Sequence, residues 1–372
     1  MYKTLYITGS FPRLGDGIGD AAGKLYDAVM DKDSVTLMTS AEECIKTYID
    51  EKKYNNVILV KNWTTKTLFF ILKLIRGHKI ERVIIEYAGN GYKRDLAISF
   101  LPFWIRFLNI FHKKKIICHL RLHEFSMCRL ARKLFTYPLV WFSHEIDTPS
   151  YVEYEILQHK YGSKVMKSGI GSNFNWLDDR KKTINLIDDR IHLGYFGGVY
   201  PGKGIETLLG IWGQLEKMYP NRYEYYLLGG FPKGLTTAFD GYQKTVQELI
   251  DSKGLKDKIH VTGFLEEAMI EKELDKIDIA VLPYEDGLTL RRGSFLAFLG
   301  RQVAVVTSSG DDEAKSLFAG AVGVRMCGND SDYIKALEEL SNNKAYIECG
   351  QDNARFKTYF DWQQIAERIF ER

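Results

Sequence analysis

Three cations and a set of glycines in the second half of the chain have the types and spacing to hold an anion. Leu282 to Val306 reads LPYEDGLTLRRGSFLAFLGRQVAVV. The apolar run Ile279–Leu282 before it has the composition of a strand, and it ends at Pro283 in an acidic, glycine-containing loop. Arg291 and Arg292 then stand beside Gly293 and Ser294, and the apolar segment that follows reads as a helix with Ser294 as its N-cap. Unpaired backbone N–H groups next to two guanidinium groups supply the fixed charge and aligned donors that a diphosphate needs. An ordinary helix start with two solvated arginines would look the same at this level.

A second segment, His192 to Leu209, reads HLGYFGGVYPGKGIETLL. It has a short strand, a glycine turn, a lone lysine between glycines and the start of an amphipathic helix. Gly197, Gly198, Gly202 and Gly204 permit close backbone approach, and Lys203 would project over the strand end. The spacing is that of neither a Walker A loop nor a dinucleotide fingerprint. A glycine-rich turn that only joins strand to helix is the plainer reading.

Together the two segments resemble the retaining glycosyltransferases of the GT-B fold, in the large family 4 that uses nucleotide-sugar donors. That family carries a strand followed by Gly-Arg-Leu-x3-Lys-Gly, whose arginine and lysine hold the donor diphosphate. Lys203-Gly204 matches the second half of that motif, and Gly198 stands where the arginine belongs. The resemblance therefore implies a missing cation, with Arg291 and Arg292 as replacements. Two glutamates with seven residues between them usually follow the fourth strand of the C-terminal domain. Setting Asp286-Gly287 on the first puts Ser294 in place of the second; anchoring on Ala304–Val306 puts Thr289 and Ala297 there. Both alignments lack the glutamate that grips the ribose. The DGLTLRRGS stretch is similar to a subgroup with an Asp-Gly-x-Ser-x-Arg-Arg-Gly-Ser loop.

The first half extends the resemblance. Leu5–Thr8 reads as a strand followed by GSFPRLGDGIGDAAGKL, so Gly15, Gly17 and Gly19, with Asp16 and Asp20 beside them, stand at the family's first glycine loop. Ile116–Ser126, IICHLRLHEFS, places His123 at a strand end, where the family sets a histidine against the donor sugar. A lone histidine there is more often structural. Gly171-Ser172-Asn173 matches the subgroup's crossover segment.

The elements that must position these residues alternate along the chain. Strand-like runs fall at Val35–Met38, Val57–Val60, Val83–Tyr87, Ile116–His119, Val140–Ser143 and Val165–Lys167, then at Leu193–Phe196, Tyr225–Leu228, Ile259–Thr262, Ile279–Leu282, Val303–Thr307 and Val322–Arg325. Strands interleaved with helices imply parallel sheets covered on both faces. At roughly 100–200 residues per domain, 372 residues suggest two domains. The expected fold is α/β, with two Rossmann-like, doubly wound parallel-sheet domains that the resemblance sets facing a cleft. Residues 1–175 would form the acceptor-binding domain and 176–355 the nucleotide-sugar-binding domain. A polar linker is expected at Asn173–Arg190, and residues 356–372 would cross back to the first domain as a helix.

Composition excludes several classes. Hydrophobic content of 45% supports large cores. No signal peptide is expected, since Met1-Tyr2-Lys3 leads into a strand, and no apolar run approaches the roughly 18 residues of a spanning helix. Cys44, Cys118, Cys128, Cys327 and Cys349 suit neither a disulfide framework nor a zinc site, and read as buried apolar residues in a reducing cytoplasm. The net charge of +3 hides an asymmetry. Residues 1–175 hold 26 basic and 17 acidic residues, a net of +9, and the remainder 25 against 31, a net of −6. The first half is thus expected to meet something anionic. Leu101–Lys115 and Leu68–Lys79, apolar and lysine-tipped, read either as surface-binding elements or as ordinary domain helices. Nothing accompanies the charge that would mark a nucleic-acid-binding module.

The resemblance implies a retaining transfer of a sugar from a UDP- or GDP-sugar to a glycan or lipid-diphosphate acceptor, set in bacterial surface polysaccharide assembly. The chain would be cytoplasmic, with a peripheral station at the inner membrane face. Lys203, Arg291, Arg292, Asp286 and His123 would do the chemistry. Gly15, Gly17, Gly19, Gly197, Gly198, Gly263, Phe264, Leu265, Gly293 and Ser294 would bind the donor, with the base near Val261–Leu265. The adjacent pairs Asp188-Asp189 and Asp311-Asp312 sit in loop-like settings, and no cofactor or obligatory metal is expected. Two alternatives stay open: a nucleotide-sugar epimerase of the same fold, and a degenerate binding module that has lost catalysis.

Overall fold

The structure, a computed structural model, describes residues 3–12, 17–31, 34–88, 91–92, 96–111, 114–123, 125–126, 130–177, 190–231, 237–265 and 267–371. Most of the expected linker, together with Asp188-Asp189, Gly15, Asp16 and Cys128, lies outside them. The chain divides into two compact units, Met1–Gly171 with Tyr359–Arg372, and Ser172–Thr358.

The first unit is built on seven parallel strands: β1 (Thr4–Thr8), β2 (Val35–Ser40), β3 (Val57–Val60), β4 (Arg82–Tyr87), β5 (Ile117–Leu122), β6 (Glu145–Thr148) and β7 (Val165–Lys167). Their order is β3-β2-β1-β4-β5-β6-β7. Helices α1 (Gly17–Asp27), α2 (Glu43–Lys52), α3 (Thr65–Gly77), α4 (Leu96–Ser99), α5 (Leu101–Phe111), α6 (Leu130–Phe142) and α7 (Tyr151–Tyr161) connect them. Side chains alternate across each strand, so neighbouring residues serve opposite cores. Leu5, Ile7, Val83 and Ile85 pack with Ile71 of α3, Ile105 of α5 and Leu139 of α6. Tyr6 and Ile84 pack on the other face with Leu25 of α1 and Ile45 of α2. Both faces are covered, as parallel sheets require.

The second unit has six parallel strands: β8 (Ile191–Phe196), β9 (Tyr223–Leu228), β10 (Ile259–Val261), β11 (Ile279–Leu282), β12 (Ala304–Ser308) and β13 (Val324–Cys327), in the order β10-β9-β8-β11-β12-β13. Helices α8 (Ile205–Met218), α9 (Thr237–Ser252), α10 (Glu267–Asp275), α11 (Gly293–Gly300), α12 (Asp312–Leu317), α13 (Asp330–Ser341) and α14 (Tyr346–Asp352) accompany them. Through α15 (Lys357–Phe360) the chain returns to the first unit, where α16 (Trp362–Phe370) is capped by Asp361, which accepts from the Gln364 N–H at 3.1 Å. The α16 stripe Ile365, Ala366, Ile369 and Phe370 is buried against the Tyr6 face, with the Tyr6 and Phe370 rings 5.5 Å apart. The two doubly wound parallel sheets are the fold class expected.

One expected strand is not a strand. Val140–Phe142 forms the last turn of α6, Ser143 follows it, and the strand is Glu145–Thr148. Leu139 and Val140 are buried because the inner stripe of a helix needs apolar residues as much as a strand does, and a run of four does not distinguish them. Cys118 and Cys327 are buried, and desolvation pushes each thiol up to about 12; Cys44 and Cys349 are half-buried. No described helix is long and apolar enough to cross a membrane.

Ile369 is fully buried between α16 and the sheet. Ile369→Ala should cost about 2–5 kcal/mol and speed amide hydrogen exchange in α1 and β1 while leaving α8 unchanged. Equal protection in α1 would show that α16 does not hold this face.

Candidate functional site

In the second unit β8 and β11 lie side by side although two strands separate them in sequence. The loops that leave their C-terminal ends diverge, which is where open parallel sheets bind ligands. The first loop runs over 197–204 and the second over 283–292, and they touch. Gly204 has φ +72, and a Cβ there would lie 1.8 Å from the Pro283 carbonyl oxygen. Gly229, at the end of β9 with φ +150, approaches the Gly197 carbonyl equally closely, at 1.9 Å from an added Cβ. Three strand ends are thereby drawn together.

Lys203 is half-buried, with its ammonium 4.9 Å from the centre of the Tyr200 ring. That ring also accounts for Gly198. A Cβ at Gly198 would sit 2.6 Å from Tyr200 Cε1, so the space an arginine side chain would enter is filled by Tyr200. In the second loop the Arg292 guanidinium lies 4.7 Å from the centre of the Tyr284 ring. It donates to the Asp286 carboxylate and, at 3.4 Å, to the Gly287 carbonyl. Asp286 therefore orients Arg292. Arg291 is exposed. Tyr195 joins the two halves: its hydroxyl donates to the Gly198 carbonyl at 3.2 Å. Its pKa is raised by burial first, then by Tyr284 and Tyr200, with Arg292 opposing. Each cation thus rests on a tyrosine face, a favourable placement for a quadrupole, and both rings lie within electrostatic reach of one buried phenol.

Ser294 does not cap α11. Arg292 occupies the N-cap position without a side-chain cap, Gly293 is the exposed first helical residue, and the Ser294 hydroxyl lies 2.7 Å from the Tyr284 hydroxyl. Tyr284 also takes the Phe295 backbone N–H, and burial raises its pKa. A helix-start donor that the sequence assigns to a ligand is turned instead on a phenol, because Tyr284 reaches the helix from the end of β11.

Beside the cations, where β8, β9 and β10 end, a cavity of about 230 Å³ opens. Its floor is Gly197, Gly198, Gly229 and Gly230, and Phe264 and Leu265 wall it with Gly263 adjacent. Phe264 is 69% exposed, so its ring is available to a ligand. Thr262 braces the floor, accepting from the Gly229 N–H at 3.2 Å and donating to the Gly263 carbonyl at 3.1 Å. Small-molecule pockets run about 300–1,000 Å³, so the hollow suits one ring system rather than a whole nucleotide.

The first unit holds a row of buried charges at the C-terminal ends of its strands. Glu86, Arg121 and Asp147 are direct cross-strand neighbours on β4, β5 and β6, and each is at most 1% exposed. Arg121 bonds Asp147 at 2.5 Å and the Gly169 carbonyl at 3.0 Å, while its Nε lies 3.5 Å from Glu86. Ser168 donates to Asp147 at 2.6 Å, and Tyr6 donates to Glu86. His123, just past β5 and buried, sets Nε2 2.7 Å from Glu86 Oε1. A carboxylate only accepts, so Nε2 donates to Glu86. Beyond it, Glu153 of α7 accepts from the Phe125 and Ser126 N–H groups at 3.1 and 2.9 Å and from the Ser126 hydroxyl at 2.7 Å. Gly17 and Gly19 lie in the first turn of α1.

The sequence reading missed Tyr195, Tyr200, Tyr284, Glu86, Arg121 and Glu153. The LRLHEFS run hinted at Arg121 alone, since a charged residue inside an apolar strand must find a partner. Three tyrosines among the chain's 22 carry no such signal.

Residues 190–343 match the family model described as glycosyl transferases group 1, less than half of the chain. No curated protein sequence matches the chain. Among solved structures, the Anabaena protein HepE in complex with UDP is similar over 99% of this chain and 98% of its own, with TM-score 0.74 and 15% identity. A glycosyltransferase from Rickettsia africae aligns over 100% and 97%, with TM-score 0.72 and 12% identity. A Listeria monocytogenes protein described as a putative UDP-N-acetylglucosamine 2-epimerase aligns over 99% and 95%, with TM-score 0.59 and 14% identity. At these identities the likeness is one of fold: the chain has the two-domain GT-B architecture, and its second unit is similar to group 1 glycosyltransferases.

Proposed function

We propose that the protein is a glycosyltransferase that moves a sugar from a nucleotide-diphosphate donor to a glycan or lipid-diphosphate acceptor with retention of configuration. The observation that carries this reading is the pairing of Lys203 and Arg292 on adjoining tyrosine faces at the β8/β11 crossing, beside an apolar glycine-floored hollow. The base would stack in that hollow against Phe264. The diphosphate would lie over Lys203, Arg292 and the exposed Arg291. Arg292 already has a carboxylate partner, but Asp286 is 72% exposed at its side chain. Such ion pairs are worth about 0–1 kcal/mol, so phosphate oxygens can displace it.

In the reaction the bond from the anomeric carbon to the diphosphate oxygen breaks, and the acceptor hydroxyl bonds to the same face of that carbon. The leaving diphosphate takes up the hydroxyl proton. The cations stabilise charge that grows on the leaving group, and stabilisation confined to the transition state is what lowers the barrier. Because these cations belong to the protein, we expect no obligatory metal. His123, with Glu86 behind it, would contact the transferred sugar, and the first unit would receive the acceptor. Surface polysaccharide assembly at the inner face of a bacterial membrane is the setting we favour. The fold likeness to a protein described as an epimerase supports a second reading, but its ring acid/base chemistry needs paired carboxylates, and the 197–204 loop carries none.

Three measurements check this. Of UDP, GDP, CMP, ADP and dTDP, one diphosphate should raise the thermal midpoint of the protein by several degrees. Ligand at a hundredfold excess over Kd adds about 2.7 kcal/mol. The Arg291→Ala/Arg292→Ala double variant should lose the shift; no shift with any nucleotide would remove the donor site. Lys203→Ala should lower transfer roughly 100–1,000-fold with unfolding changed by no more than about 0.5 kcal/mol, and wild-type turnover would sink its assignment. His123→Ala should lower transfer about a hundredfold while leaving the nucleotide shift intact, because no part of the nucleotide is assigned to the first unit. Loss of the shift in that variant would contradict the division of labour. A nucleotide shift without turnover on any acceptor would favour the degenerate binding module.

A further inference from the structure

We propose, on the transferase reading, that Tyr200 is a positioning residue: its ring face holds the Lys203 ammonium where the donor's diphosphate meets it. The local sequence, Tyr200-Pro201-Gly202-Lys203, is built for that encounter. Proline presets φ at the second position of a type II turn, and the third position needs a positive φ, which glycine adopts freely. Gly202 has φ +85, and the Lys203 N–H closes the turn on the Tyr200 carbonyl at 3.3 Å. The Cα atoms of the first and last residues of such a turn lie within about 7 Å of each other. Here the ammonium comes to 4.9 Å from the ring centre. Both flanks fix the turn. On one side Gly198 leaves room for the ring, since a Cβ there would lie 2.6 Å from Tyr200 Cε1, and the Tyr195 hydroxyl holds the Gly198 carbonyl at 3.2 Å. On the other side Gly204 is wedged against the Pro283 carbonyl.

A ring does here what a carboxylate could not. Lysine carries its charge on a flexible four-carbon stem, and ordering that stem on binding costs affinity. An aromatic face orders the ammonium beforehand. It does so without cancelling the charge, because among the described residues no acidic side chain pairs with Lys203. Arg292 is the contrast. Its guanidinium lies 4.7 Å from the centre of the Tyr284 ring, but Asp286 also accepts from it, so a phosphate must displace a carboxylate there. Lys203 thus meets the diphosphate unneutralised, and Tyr200 sets where it stands. A ring that only filled the space before Gly198 could be exchanged for an aliphatic side chain with no loss of anion binding. A ring that holds Lys203 could not.

The test is calorimetric titration of the whole protein with inorganic pyrophosphate, which reports on the cations without base, sugar or acceptor. Tyr200→Leu and Tyr200→Gln should each weaken binding about tenfold. Tyr200→Phe keeps the face and should recover wild-type affinity to within about twofold. In a Lys203→Ala background the Leu replacement should change affinity by less than about twofold, because residues that act through one another are not additive. Wild-type affinity in the Leu and Gln variants would overturn the proposal. So would a Phe variant as weak as the Leu one, which would give the role to the hydroxyl, or a further loss of about tenfold in the Lys203→Ala background, which would make the ring merely structural. No binding of pyrophosphate by the wild type would remove the anion site itself and the proposal with it. The expected binding pattern without transfer to any acceptor would count against the transferase reading alone.

Discussion

The backbone of Gly204 lies so close against the Pro283 carbonyl that no side chain fits between them, and the second unit's candidate site follows from that approach. The two loops at the β8/β11 crossing are locked together there, one residue from Lys203 on one side and one from Tyr284 on the other. Were the loops farther apart, Lys203 on Tyr200 and Arg292 on Tyr284 would be unrelated surface cations. Held in contact, they share a bed of phenols with Tyr195. Gly229 repeats the device against Gly197 and opens the floor of the neighbouring hollow. Both positions have positive φ, which glycine adopts without strain.

The first unit meets a different constraint. Glu86, Arg121 and Asp147 are excluded from water, and removing three charges from solvent is expensive unless opposite charges meet. The sheet reduces that cost by register, although Asp147 Oδ1 keeps no hydrogen-bond partner. Direct cross-strand neighbours alternate in sign, and the ends of the row are tied by Tyr6 and Ser168. An apolar row of similar volume would hold the strands at least as well. What an apolar row could not do is offer a fixed carboxylate to His123 at 2.7 Å. Glu153 then pins the two N–H groups that follow, so the ring and the turn beyond it are set by separate carboxylates from β4 and α7.

The absence of the arginine that the resemblance implies at Gly198 has a physical account in Tyr200. Its ring occupies the volume in front of Gly198 and in the same stroke supplies the face on which Lys203 rests. Loss of one cation and placement of another are thus one packing event, and the acidic loop supplies the second cation, Arg292, from nine residues beyond Pro283.

The sequence by itself determined the architecture. Twelve short, mostly apolar runs between helical stretches specify parallel sheets, because strands buried on both faces are built mainly from apolar residues; Ile279–Leu282 and Ala304–Val306 are such runs. The glycines of the 197–204 loop were legible as points of close backbone approach, as Gly204 shows. The run at Val140–Ser143 was not, because three apolar residues and a serine can end a helix as readily as form a short strand. Nor was the fate of Ser294, whose capping bond lost to Tyr284, ten residues away. Partners of this kind are chosen by which side chains tertiary packing brings within reach. Glu86 and Arg121 are 35 residues apart along the chain and adjacent in the sheet. Local patterning carries the period of each element. The charge pairs, ring faces and backbone contacts that make a site depend on register and loop approach, which only the folded sheet decides.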